Sequence, residues 1–192
     1  MERDFETVMI EQCAPVLAGL KPAGLFRYGT QDPADLARRV CSWNGQLGPK
    51  GLAVRVLQGR PGIGWYLVYV YRKSKLAQLL ADREIQAFLL QEGYRLPRDP
   101  ADCGGWLTQL SHRLCSQDTF PHEIGVFLGY PLTDVVGFIQ NRGKNFTFCG
   151  YWKAYGDPQA AQRQYAQLRK CTAVYLRLFH SGTPIQKLTV AA

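Results

Sequence analysis

Residues 65–71 read Trp-Tyr-Leu-Val-Tyr-Val-Tyr, and this stretch limits the fold more than any other. In an extended strand, alternate side chains point to opposite faces. Trp65, Leu67, Tyr69 and Tyr71 line one face, and Tyr66, Val68 and Val70 line the other. A strand that is apolar on both faces must be covered on both, so it belongs at the centre of a sheet with a layer on each side. The preceding segment, Leu52 to Gln58, is also strand-like, and Gly59-Arg-Pro-Gly62 supplies a turn. The two make a β-hairpin over residues 52–71.

Helices surround it. Asp32-Pro33, Asp99-Pro100 and Asp157-Pro158 each place a carboxylate where orphan helix amides need an acceptor and a proline where its missing N–H costs nothing. They predict helices from Pro33 to about Leu47, Pro100 to Cys115 and Pro158 to about Phe179. Leu36, Val40, Trp43 and Leu47 recur at helical spacing, as do Tyr165, Leu168, Cys171, Tyr175 and Leu178. Two short helices, 76–80 and 85–90, end at Gly93, and a helical hairpin over 121–142 is hinged at Gly129-Tyr-Pro131. A first helix covers Asp4 to Gln12, and Pro15 predicts a fresh helix start beside Cys13. Phe146 to Tyr155, with alternating aromatics, reads as a third strand. The expected class is α+β: a small antiparallel sheet (hairpin 52–71 plus strand 146–155) packed by about six helices in a single domain, residues 1–192.

Composition agrees with a globular chain. Apolar residues are 46% and charged residues 20% of the 192, ordinary values for a folded domain. No run approaches the ~18 apolar residues of a membrane span. The acidic opening lacks the pattern of an export signal, and the six cysteines show no Cys-x-x-Cys spacing. These features predict a cytoplasmic protein whose cysteines, Cys13 apart, are buried thiols. The net charge of +8 comes from basic residues spread along the whole chain, so a nucleic-acid partner is not expected from charge alone.

Chemistry is expected at two places. A thiol beside a helix N-terminus is favoured as thiolate, which nominates Cys13. The pair His122-Glu123 follows a turn at Pro121 and suits acid–base or ligand chemistry. The Gln12-Cys13 step resembles the nucleophile segment of papain-like peptidases, with His122 and Asp134 as downstream partners, although their Cys-Gly-Pro is Cys-Ala-Pro here. Cys13, His122 and Glu123 are therefore the candidate catalytic residues. Tyr151, Trp152 and Lys153 are the candidate cofactor-binding residues, a rim suited to a flat ligand. No metal-ligand set is legible. The 121–142 hairpin has the apolar and glycine pattern of a helix-turn-helix, but its second helix offers Val136, Gly137 and Phe138 where base readout needs polar groups.

Several blocks are long and specific. Cys-Ala-Pro-Val-Leu-Ala-Gly-Leu-Lys at 13–21, Phe-Pro-His-Glu-Ile-Gly-Val-Phe-Leu-Gly-Tyr-Pro-Leu-Thr-Asp-Val at 120–135, Cys-Gly-Tyr-Trp-Lys-Ala-Tyr-Gly at 149–156 and Lys170-Cys171 resemble a bacterial family, the domain of unknown function 3793. The resemblance implies a cytosolic bacterial protein and brings no catalytic residues with it. In that family the residue before the cysteine is often His, where this chain has Gln12. The leading expectation is a small cytosolic protein that binds a cofactor or metal, or acts through a thiolate, around Cys13 and His122-Glu123. Its partner would be a small molecule, with no membrane. A DNA-binding regulator and a non-catalytic interaction module are the alternatives.

Overall fold

The computed structural model describes residues 4–99, 102–116 and 119–191. Its main sheet has three antiparallel strands, β1 (Ala23–Gly29), β2 (Leu52–Arg60) and β3 (Trp65–Arg72), in the order β1-β3-β2. The two-faced apolar strand is indeed central. On one face Tyr66, Val68 and Val70 join Phe26, Tyr28 and Val54 in a first core. On the other, Leu67, Tyr69 and Tyr71 join Ala23 and Leu25 in a second. A bulge between Val56 and Gln58 shifts the register of β2, and Leu57 turns into the second core.

The first core is closed by α1 (Phe5–Leu17), α2 (Pro33–Leu47), part of α8 (Pro158–His180) and α9 (Ile185–Leu188). The second is closed by α3 (Lys73–Leu80), α4 (Arg83–Gln91), α5 (Cys103–Ser116), α6 (Ile124–Phe127) and α7 (Leu132–Gln140). Asp32 accepts the Asp35 amide and Asp157 the Gln159 amide, as the Asp-Pro pairs require. The expected start at Pro100 lies outside the described residues. The described part of α5 opens at Cys103, with Asp102 accepting the Gly104 amide.

The α+β class stands, with three differences from the sequence expectation. The third strand of the sheet is β1, and residues 146–155 form a separate two-stranded hairpin, β4 (Phe148–Cys149) with β5 (Lys153–Ala154), docked on α8. Glycine hid both. Gly24 interrupts the strand signal of β1, yet it is glycine because a Cβ there would come within 2.9 Å of the Cys13 sulfur. Gly150 turns the apparent long strand back on itself, where a Cβ would strike the Tyr165 ring.

The third difference concerns Pro15. No helix starts there, because α1 runs through it to Leu17. An interior proline costs about 3 kcal/mol. Burial of Val16 and Leu17, each about 1.5–3 kcal/mol, is enough to offset that cost, and both are essentially inaccessible. Helix α1 then ends at Gly19, left-handed at φ 77°.

Its last carbonyls are satisfied by Arg72, which is 1% exposed. The guanidinium donates to the carbonyls of Val16, Leu17 and Val190, each at 2.7 Å. Lys50 donates to the carbonyls of Gln186 and Thr189, so two cations hold the C-terminal segment. Arg72→Met keeps the chain length and removes three charged hydrogen bonds, leaving the Val190 carbonyl without its donor while Val16 and Leu17 keep the Gly19 and Val190 amides. It is expected to lower the unfolding free energy by at least about 3 kcal/mol in urea denaturation. A loss below about 1 kcal/mol would show that backbone amides and solvent satisfy these carbonyls without the guanidinium.

Candidate functional site

The turn between α6 and α7 begins the site. Gly129 is left-handed at φ 76° and is packed under Pro22, where no side chain would fit. Tyr130 follows, and its ring stacks on Trp152 with centroids 4.6 Å apart and planes at 18°. The Lys21 ammonium lies 4.7 Å from the centre of the Tyr130 ring. Burial lowers the Lys21 pKa to about 8. Trp152 also meets Tyr165 edge-on at 4.2 Å.

Asp134, in the first turn of α7, holds the β4–β5 hairpin in place. It is 5% exposed. One carboxylate oxygen accepts the Trp152 indole N–H at 2.8 Å, and the other accepts the Tyr155 and Gly156 amides at 2.7 and 3.2 Å. A buried carboxylate is stable when N–H donors and a helix N-terminus satisfy it, and both are present.

Between α7 and this hairpin lies a cavity of about 350 Å³, lined by the aromatic residues Tyr130, Phe138, Tyr151 and Trp152 together with His122, Asp134, Cys149, Lys153 and their apolar neighbours. Its walls are mainly apolar, and four of the residues that form them are aromatic. His122 is exposed at the edge, its ring 4.9 Å from that of Phe138. Tyr151 is half exposed. Lys153 donates to the Gly143 carbonyl at 2.7 Å and lies over the Phe146 ring.

Four of the six sequence candidates, His122, Tyr151, Trp152 and Lys153, thus line one cavity. Glu123 does not. Its carboxylate turns inward, 3% exposed, to accept Arg113 Nε at 2.8 Å and the Tyr94 hydroxyl at 3.1 Å. That buried pair ties α5 to the start of α6.

Cys13 does not reach the cavity either. It is fully buried in the first core, on the other face of the sheet from the core beneath the cavity. It sits in the interior of α1, so no helix N-terminus faces it, and burial pushes its thiol up to about 12. The structure therefore separates Cys13 from His122. The other thiols also differ from expectation. Cys103 is buried and Cys171 half-buried, but Cys41, Cys115 and Cys149 are exposed.

Tyr130, Phe138, Cys149 and the anchoring role of Asp134 were not singled out as site features in the sequence. One signal was available: a partly buried tryptophan seeks an acceptor for its N–H, and Asp134 is the one charged residue of α7.

Among the described residues no three His, Cys, Asp or Glu side chains gather closely enough to hold a metal ion, and no helix is long and apolar enough to cross a membrane. Fold and site together define an α+β protein with an aromatic surface cavity. The chain belongs to the family described as a protein of unknown function (DUF3793), which matches residues 9–189. No curated protein and no solved structure matches the chain.

The thiols separate the two readings of this site. Iodoacetamide at near-neutral pH is expected to label Cys149, Cys41 and Cys115 in the folded protein and to spare Cys13 until denaturant is added, as mapped by mass spectrometry of peptides. Early labelling of Cys13 would mean that the first core opens readily.

Proposed function

We propose that this chain is a cytoplasmic bacterial protein that binds a planar, ring-containing small molecule in the cavity between α7 and the β4–β5 hairpin. The observation that carries the reading is the cavity wall: Tyr130, Phe138, Tyr151 and Trp152 surround about 350 Å³. That volume is within the range of small-molecule sites, which are mostly apolar with a few polar groups. His122 and Lys153 are the polar groups that would orient the ligand. Six free cysteines support a reducing compartment.

The wall is preorganised, which lowers the cost of binding. Trp152 is held through its indole by Asp134 and through its ring by Tyr130 and Tyr165, so a ligand need not order it. The alternative of a DNA-reading helix draws little support from α7. Val135 is buried, Phe138 lines the cavity, and Gly137 lies against Tyr155.

Neutral N-phenylnaphthylamine, whose fluorescence rises in an apolar site, tests the reading. Saturable binding to the wild-type protein is expected. Tyr151→Ala, which removes a half-exposed ring, should weaken binding about three- to tenfold, the worth of one aromatic contact. No saturable binding, or equal binding by the variant, would refute the reading.

A further inference from the structure

We infer that the ligand of this cavity carries a negative group, a carboxylate, phosphate or sulfonate, and that Lys153 receives it beside His122. The inference rests on the proposed function and adds the chemical class of the ligand.

Charge at the cavity is one-sided. Among the described residues the only carboxylate in its lining is Asp134, and its oxygens already accept three N–H donors. A cationic ligand would have to compete with the anchoring of the hairpin. Lys153 is different. It is half-buried, and among the described residues its ammonium donates to the Gly143 carbonyl alone. An ammonium has three donors, so two remain for a ligand. A charged hydrogen bond in a partly dry site is stronger than one in water.

The segment that positions Lys153 is unusual. Arg142, Gly143 and Asn145 are all left-handed, at φ 50°, 70° and 58°. Such backbone is uncommon for Arg and gathers at functional sites. Here it presents the Gly143 carbonyl to Lys153 and brings Gly143 against the Phe138 ring. The lysine is thereby fixed over the rings of Phe138 and Phe146, 5.9 and 4.9 Å from their centres, at the edge of the cavity. A merely solvated lysine needs no such mounting.

A second cavity of about 480 Å³ adjoins the first across the Cys149–Tyr151 turn and contains Arg169. Arg169 is exposed and is the natural control. It supplies positive charge nearby without lining the first cavity.

Anilinonaphthalene sulfonate and N-phenylnaphthylamine share one ring system and differ by the sulfonate. A cavity that selects only for rings would favour the neutral, more apolar molecule. The inference predicts the reverse, with the sulfonate bound about tenfold or more tightly, the scale of one charged hydrogen bond. Lys153→Met should abolish that preference while leaving the neutral probe bound, and Arg169→Met should leave the preference intact. Equal or weaker binding of the sulfonate with the neutral probe still bound would overturn the inference and spare the proposed function. Binding of neither probe would overturn both. Loss of the preference in Arg169→Met but not in Lys153→Met would overturn the assignment to Lys153. Displacement of the sulfonate by a single-stranded oligonucleotide but not by its mononucleotides would assign the face to nucleic acid and overturn the small-molecule reading.

Discussion

The guanidinium of Arg72 sits where four separate parts of the chain have to agree. It terminates the central strand β3, closes the last turn of α1 through the carbonyls of Val16 and Leu17, and holds the C-terminal segment through Val190. Its own amide donates to the Pro22 carbonyl, which sets the corner between α1 and β1. A buried cation is costly unless its donors are occupied. Three carbonyls, one on Nε and two on Nη2 of the rigid fork, meet that requirement, and lysine lacks the geometry to do so. The same contact reinforces the end of α1, whose last two carbonyls also accept the Gly19 and Val190 amides.

That corner also reaches the cavity. Pro22 packs against Gly129, and the adjacent Lys21 lies over Tyr130. Tyr130 in turn stacks on Trp152, whose indole is bound to Asp134. The wall of the cavity is thus continuous, through direct contacts, with the most constrained point of the fold. The cavity combines a rigid wall of this kind with a half-exposed Tyr151 and an exposed His122 at its margin, a distribution that suits recognition of a ligand arriving from solvent.

Much of the fold was legible because it depends on local patterns. The central place of β3 followed from apolar residues on both faces, the starts of α2 and α8 from Asp32-Pro33 and Asp157-Pro158, and the hinge of α6 and α7 from Gly129. What was not legible depended on distant contacts. Gly24 looked like a break, but it marks the approach of Cys13 from a helix eleven residues earlier. Gly150 made two short strands look like one. Cys13 looked reactive because Pro15 implied a helix terminus, and only the three-dimensional burial of Val16 and Leu17 shows why the helix continues. At the site, His122, Tyr151, Trp152 and Lys153 stood out by residue type. The pairing of Trp152 with Asp134 did not, because nothing local relates two residues that meet only when the hairpin folds back on α7.

The central claim is that the aromatic cavity is the place where this protein meets its ligand. Amide and indole chemical shifts in a proton–nitrogen correlation spectrum, followed during a titration with anilinonaphthalene sulfonate, test it most directly. The largest changes are expected at the Trp152 indole N–H and at the amides of Tyr130 and residues 150–153, with the amides around Cys13 and Gly24 unmoved. Changes centred on Cys13 and Gly24, or spread evenly over the surface with the Trp152 indole unshifted, would contradict it.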